Sequence, residues 1–222
     1  MLPTPNLDHL SSKDYEQIYE PSEDTFLLLD ALESEITFIK NEINPCICLE
    51  IGSGSGCVST FLGQLLGNNS TVLFCTDINP NATSITVETG RRNSIYLDSI
   101  TTNLTSGLLP RLYHSVDILC CNPPYAVTPH EDIYSKNIIE KAWAGGINGR
   151  EVIDMILPLA NDLLSDNGTF YLLVISDNKP DEIREKMWKQ YQFHSEVVIS
   201  RLAGREKLII LKFRRNGRNI ND

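Results

Sequence analysis

Glu50-Ile51-Gly52-Ser53-Gly54-Ser55-Gly56-Cys57 is the stretch whose reading decides the fold. The residues before it, 46–51, are short, apolar and turn-bounded, as expected of a central parallel strand. An apolar helix is predicted to start near Cys57. Strand, glycine turn and helix together form the first half of a nucleotide-binding crossover. The glycines tolerate positive φ and let the backbone approach a ligand closely. Their spacing discriminates between ligands. The dinucleotide fingerprint requires glycine or alanine where Cys57 stands, so G-x-G-x-G holds, G-x-G-x-x-G/A fails, and a dehydrogenase is disfavoured.

Two further apolar runs carry matching chemistry at their ends. The second strand, predicted over 72–76, runs into Asp77-Ile78-Asn79-Pro80, and an acid there can accept both ribose hydroxyls of a nucleoside. The run Val116-Asp117-Ile118-Leu119 leads into Cys120-Cys121-Asn122-Pro123-Pro124-Tyr125. Pro123 and Pro124 lack an N–H, which leaves the local backbone rich in acceptors. Asn122 precedes a proline and is biased toward an extended conformation. Its side-chain carbonyl and the Pro123 carbonyl can then face outward together, matching a planar –NH2 group, with Tyr125 as a flat apolar face. An isolated Asn-Pro-Pro is more commonly a strand stop with a buried Asn. Here it stands with a glycine turn and a ribose acid at the ends of three apolar strands.

The rest of the chain alternates. Residues 1–12 read as irregular, with Pro3 and Pro5. Ser22 can cap a helix to about Lys40, with Glu23 and Asp24 in its first turn and Phe26, Leu29, Ala31, Leu32, Ile36 and Ile39 on its apolar side. That capping account leaves Tyr19 and Thr25 unexplained. A helix over 81–93 precedes a weak strand over 95–101 that ends at Asn103-Leu104. Ala142-Trp143-Ala144-Gly145-Gly146 and Gly149-Arg150-Glu151 are too glycine-rich for helix interior and read as a lid or a substrate shelf. Then follow a helix over 151–164 despite Pro158, a strand over 169–175, a helix over 180–191 opened by proline, and closing strands over 196–201 and 207–213. An alternating β/α pattern ending in β-β predicts one α/β domain over 1–222, with 1–40 covering the cofactor site and 216–222 a flexible tail.

Composition narrows the function classes. A 222-residue chain with 41% hydrophobic residues can bury a sizeable core. No apolar run reaches the roughly 18–20 residues needed to span a bilayer. The N-terminus, with Asp8, Lys13, Asp14 and Glu16, does not read as a secretory signal, so a cytoplasmic location, or a nuclear one as well, is expected. Six cysteines without a C-x-x-C pair read as reduced, buried hydrophobes, and no metal site is expected. A net charge of −10 argues against broad nucleic-acid binding. The one basic patch visible is Lys212-Phe213-Arg214-Arg215, extended by Arg218.

Glu20-Pro21-Ser22-Glu23-Asp24-Thr25, the glycine turn, Asp77-Ile78-Asn79-Pro80, Asn122-Pro123-Pro124-Tyr125 and Ala142-Trp143-Ala144-Gly145-Gly146 occur in order and resemble the HemK-like glutamine methyltransferases. More narrowly, the chain is similar to the eukaryotic branch that modifies the class 1 translation release factor. The resemblance implies a Rossmann-like, seven-stranded, mostly parallel sheet flanked by helices with a closing antiparallel strand. It implies S-adenosylmethionine as methyl donor, N5-methylation of the glutamine in a Gly-Gly-Gln motif, and a small zinc-binding activator subunit as partner. By the same resemblance Thr25, Glu50 and Gly52 surround the methionine part of the cofactor, Gly54 also binds the cofactor, Asp77 holds the ribose, and Leu104 meets the adenine. Asn103 stands where the family usually has Asp, keeping a carbonyl acceptor but losing charge. Asn122 faces both cofactor and substrate, Pro123, Pro124 and Tyr125 face the substrate, and Asn122, Pro123 and Tyr125 are the catalytic residues the resemblance implies. Methylation of a protein lysine, such as in histone, or of adenine N6 stays open as an alternative. The strand over 95–101, with Ile95, Tyr96, Leu97 and Ile100, is expected at a bare apolar edge that the activator, or the chain's own N-terminal segment, covers.

Overall fold

The computed structural model describes residues 2–67, 70–135 and 137–215. One seven-stranded sheet organises them, built from β1 (Ile47–Ile51), β2 (Val72–Asp77), β3 (Asp98–Thr101), β4 (Val116–Cys121), β5 (Leu164–Ile175), β6 (Phe193–Ala203) and β7 (Glu206–Arg215). The spatial order is β3-β2-β1-β4-β5-β7-β6. The first five neighbours pair in parallel, and β7 lies antiparallel between β5 and β6. The helices are α1 (Ser12–Tyr15), α2 (Glu23–Ser34), α3 (Ile36–Phe38), α4 (Cys57–Leu66), α5 (Pro80–Arg92), α6 (Leu109–Leu112), α7 (Glu151–Leu163) and α8 (Pro180–Tyr191). Among the described residues no helix is long and apolar enough to cross a membrane.

Side chains of a central strand alternate between two cores because successive residues point to opposite faces. On β4, Ile118 and Cys120 join Leu27, Leu28, Leu32 and Phe61, while Leu119 and Cys121 join Ile153, Ile156, Leu157 and Phe170. Burial on both faces explains the continuous apolar runs of β1, β4 and β5. Strand order reverses between β1 and β4, whose last residues, Ile51 and Cys121, are register partners. Their outgoing loops therefore part at one point, where open α/β sheets bind ligands.

Several expectations change. The predicted helix to about Lys40 ends at Ser34, followed by α3 and a π turn over Ile39–Ile43 that closes at Asn44, φ +48°. Leu27 and Leu28 belong to its buried face as well, since α2 lies under both α4 and the β6–β7 end of the sheet. β5 begins at Leu164, earlier than predicted. The edge position of β3 is as expected, but its apolar character is not. A Cβ on Gly90 would lie 2.8 Å from Leu97 Cγ, and one on Gly63 would lie 2.5 Å from Ile95 Cγ2. Two glycines without side chains thus admit both residues, leaving Leu97 buried and Tyr96 exposed. The N-terminal segment runs along α5: Asn6 and Asn93 exchange hydrogen bonds at 2.8 and 2.9 Å, and Asn79 Nδ2 donates to the Gln17 carbonyl at 2.7 Å.

The basic patch dissolves. Lys212 is buried in β7, paired with Glu35 and with Glu196 at 2.7 Å, and sits 4.2 Å over the Phe38 ring. Arg214 lies 4.5 Å over the same ring. These cations clamp α2 and α3 onto the sheet. Arg218 and the predicted tail over 216–222 lie outside the described residues. All six cysteines are free, and Cys46 is exposed because it precedes β1 rather than lying in it.

Candidate functional site

A cavity of about 610 Å³ opens at the carboxyl ends of β1, β2 and β4. Thr25, Glu50, Gly52, Gly54, Asp77, Asn103, Leu104, Asn122, Pro123, Pro124 and Tyr125 all line it. Residues spread over a hundred positions in the chain are therefore brought to one wall.

The glycine turn is shaped by its neighbours. Gly52 and Ser53 both donate to the Thr76 carbonyl, at 2.8 and 3.1 Å, which folds the turn back over β2. Gly52 has φ +79° and Gly54 φ +51°, conformations costly for a residue with a Cβ. A Cβ on Gly54 would meet nothing within 4 Å, so this edge of the turn is open. Asp77 Oδ2 accepts from Gly54 N and Oδ1 from Asn79 N, both at 2.9 Å. Each oxygen keeps a further lone pair for a ligand hydroxyl. Burial raises the Asp77 carboxyl above the ordinary range, against the pull of these backbone donors.

Glu50, at the end of β1, reaches the first turn of α4. Its Oε2 accepts from Ser59 N at 3.0 Å and from the Ser59 hydroxyl, satisfying one of the free N–H groups of that turn. Burial pushes its carboxyl up to about 8, despite the lowering effect of both Ser59 contacts. On the far side, Leu104 takes φ +51°, an uncommon choice for leucine, and presents a half-buried apolar face to the cavity beside the exposed Asn103.

The Asn-Pro-Pro-Tyr segment leaves β4 with trans peptides throughout. Asn122 Nδ2 donates to Asp24 Oδ2 at 3.1 Å, and Asn122 Oδ1 is buried with no hydrogen-bond partner among the described residues. The Tyr125 and Tyr19 hydroxyls donate to the same Asp24 oxygen at 3.0 and 2.8 Å. Burial first, and then the Asp24 charge, raise both phenols well above the ordinary range, so both remain protonated donors. Asp24 itself is 3% exposed.

The glycine-rich segment is a shelf. Ala126 N donates to Trp143 O at 3.0 Å and Gly145 N to Ala126 O at 2.9 Å, a short parallel bridge behind the prolines. A Cβ on Gly145 would lie 2.8 Å from Pro124 O, and one on Gly149 would lie 1.9 Å from Tyr125 O. Asn178 Nδ2 donates to the carbonyls of Tyr125, Asn148 and Gly149 at 2.9, 3.0 and 3.2 Å. Trp143 stands half-exposed at the mouth.

Asp24, Ser59 and Asn178 are site residues that the sequence reading missed. For Asp24 a signal existed: Tyr19 and Thr25 are two of its partners, the second through Thr25 N at 2.6 Å, while the Thr25 hydroxyl also enters the cap by accepting from Ser22 N at 3.5 Å. Asn178 had none, since the carbonyls that its amide nitrogen holds arrive from other elements.

Known proteins resemble this chain in both sequence and fold. Residues 23–198 match the methyltransferase small domain family. The chain is 48% identical to Methyltransferase HEMK2 of Homo sapiens over 210 residues, covering 95% of each. It is 39% identical over 233 residues, covering 100% of each, to the eRF1 methyltransferase catalytic subunit mtq2 of Schizosaccharomyces pombe. Among solved structures, the E. cuniculi Mtq2–Trm112 complex, responsible for methylation of the eRF1 translation termination factor, is similar at TM-score 0.66 and 27% identity, covering 90% of this chain and 99% of that one.

Proposed function

The chain belongs to the methyltransferase small domain family, and from that premise we propose that it N5-methylates the Gly-Gly-Gln glutamine of the class 1 release factor eRF1, with S-adenosylmethionine as methyl donor. The observation that carries this reading is the buried, partnerless Asn122 Oδ1 at the edge of a cavity that also holds a glycine turn and a ribose acid. A buried acceptor without a donor is costly unless a ligand supplies one.

The residues present fit that donor. Asp77 would hold the ribose hydroxyls, the open side of Gly54 would admit close approach of the ligand, Thr25, Glu50 and Gly52 would enclose the methionine end, and Leu104 would meet the adenine beside Asn103; all of them line the cavity. S-adenosylmethionine supplies an electrophilic methyl on its sulfonium. An amide nitrogen is a poor nucleophile because its lone pair is delocalised into the carbonyl. Asn122 Oδ1 and the Pro123 carbonyl accept the two amide hydrogens, favouring a pyramidal nitrogen and stabilising the positive charge that develops on it. Tyr125 and Pro124 bound the amide plane. What remains is alignment, and the shelf behind the prolines provides it. No general base is required, since an N-alkylated amide cation loses its proton readily.

The partner follows the same logic. The similar solved structure is a Mtq2–Trm112 complex. Here β3 is an edge strand, paired among the described residues only with β2, and Tyr96 beside it is 81% exposed. A small zinc-binding activator adding a strand to β3 accounts for both. Radiolabelled methyl transfer, with and without the activator, onto release factor, release factor with the motif glutamine replaced, histone and DNA tests the reading. Label confined to the intact motif is expected; label on histone lysine or DNA adenine instead would replace it.

A further inference from the structure

We propose that Asp24 is a positioning residue that sets the polarity of the Asn122 amide, turning its NH2 away from the substrate and its oxygen toward it; this rests on the glutamine methylation argued above. The two oxygens of Asp24 are differently occupied. Oδ1 accepts from Thr25 N at 2.6 Å and the Thr25 hydroxyl at 3.3 Å, which anchors the carboxylate to the first turn of α2. Oδ2 accepts from Tyr19, Tyr125 and Asn122, all from the cavity wall.

An Asn side chain has two ends of nearly equal size and opposite hydrogen-bonding sense. Flipped, Asn122 would set its carbonyl oxygen against the Asp24 oxygen and aim two donors at the substrate –NH2, which has only donors to offer. Next to a carboxylate that accepts only, one orientation is favoured: Nδ2 on Asp24, which leaves Oδ1, buried and without a partner among the described residues, as the acceptor at the cavity wall. Asp24 also holds the Tyr125 hydroxyl, so amide and ring are tied to one point. Asp24 stands in the first turn of α2, 98 positions from Asn122 in the chain.

Asp24→Asn tests it, because the neutral amide keeps the shape but offers one acceptor oxygen where the carboxylate offers two. With activator and release factor present, kcat should fall by about 100-fold, while KM and the affinity for S-adenosylhomocysteine stay within about threefold. The swap Asp24→Asn with Asn122→Asp reverses donor and acceptor and again leaves an acceptor facing the cavity. It should recover at least about tenfold of the lost rate. The Asn122 side-chain amide, identified in nitrogen-15 spectra by its absence in Asn122→Ala, should exchange slowly in the parent protein and fast in Asp24→Asn. Near-parental kcat in Asp24→Asn, a swap no better than Asp24→Asn alone, or unchanged amide exchange overturns the proposal. The exchange measurement needs no turnover, so it judges Asp24 even if the release factor proves not to be the substrate.

Discussion

Glu50 Oε2 accepts the Ser59 backbone N–H at 3.0 Å, so a buried carboxyl on β1 caps the helix that leaves the glycine turn. With its carboxyl pushed up to about 8 from an ordinary 4.5, Glu50 keeps its proton near neutrality when folded and loses it when unfolded. Its contribution to stability is therefore fully present below pH 4.5 and is lost as pH rises through about 8. Denaturant unfolding at pH 5 and pH 8 should show Glu50→Gln gaining on the parent at the higher pH, by roughly 3–5 kcal/mol at most.

The same carboxyl couples to the ligand. An ammonium placed beside Glu50 favours its charged form, so binding the methionine end of the cofactor near pH 7 should release a proton. Calorimetric titrations in two buffers of different ionisation heat measure this release, and Glu50→Gln should abolish it. Identical heats in both buffers would remove Glu50 from the methionine end.

Asp77→Ala should weaken S-adenosylmethionine binding by roughly 1.5–3 kcal/mol, the range for a hydrogen bond to a charged group. Part of that loss comes through the turn, since Gly54 N and Asn79 N also lose their acceptor. Calorimetry on a folded Asp77→Ala protein with unchanged affinity would exclude it from the site.

Asn122→Ala should abolish methyl transfer, by about 100-fold or more, with a smaller effect on cofactor affinity. Its oxygen is buried at the cavity wall without a partner among the described residues while its nitrogen is bound to Asp24, so the loss falls on the substrate amide. Near-parental turnover would end the mechanism.

Ser99→Pro should separate the chain from its activator. Thr102 N donates to Asp77 O, so Thr102, Ile100 and Asp98 turn their backbone groups toward β2, and Ser99 and Thr101 face the free edge. A proline there removes an edge donor without breaking the pairing to β2. Leu97 is unsuitable for this test because it is core. Co-purification at full strength with Ser99→Pro would place the partner elsewhere.

What the sequence determined by itself is whatever its local chemistry enforces. Gly52 and Gly54 need no distant partner to permit positive φ, Pro180 opens α8 where predicted, and Asn122 stands before a proline at the end of an apolar run. Since β1, β2 and β4 are parallel neighbours, their ends meet by topology alone, and the residues there were legible as one site. Only the tertiary structure decided the rest. Leu97 reads as an exposed edge until Gly90 makes room for it, and Lys212 reads as a basic patch until Glu35 and Glu196 neutralise it inside the sheet. Asp24 reads as a first-turn acid until α2 docks beside β4 and surrounds it with two phenols and an amide. In each case the deciding partner lies far along the chain or across a packing interface, where hydrophobic burial, not local backbone preference, sets the neighbours.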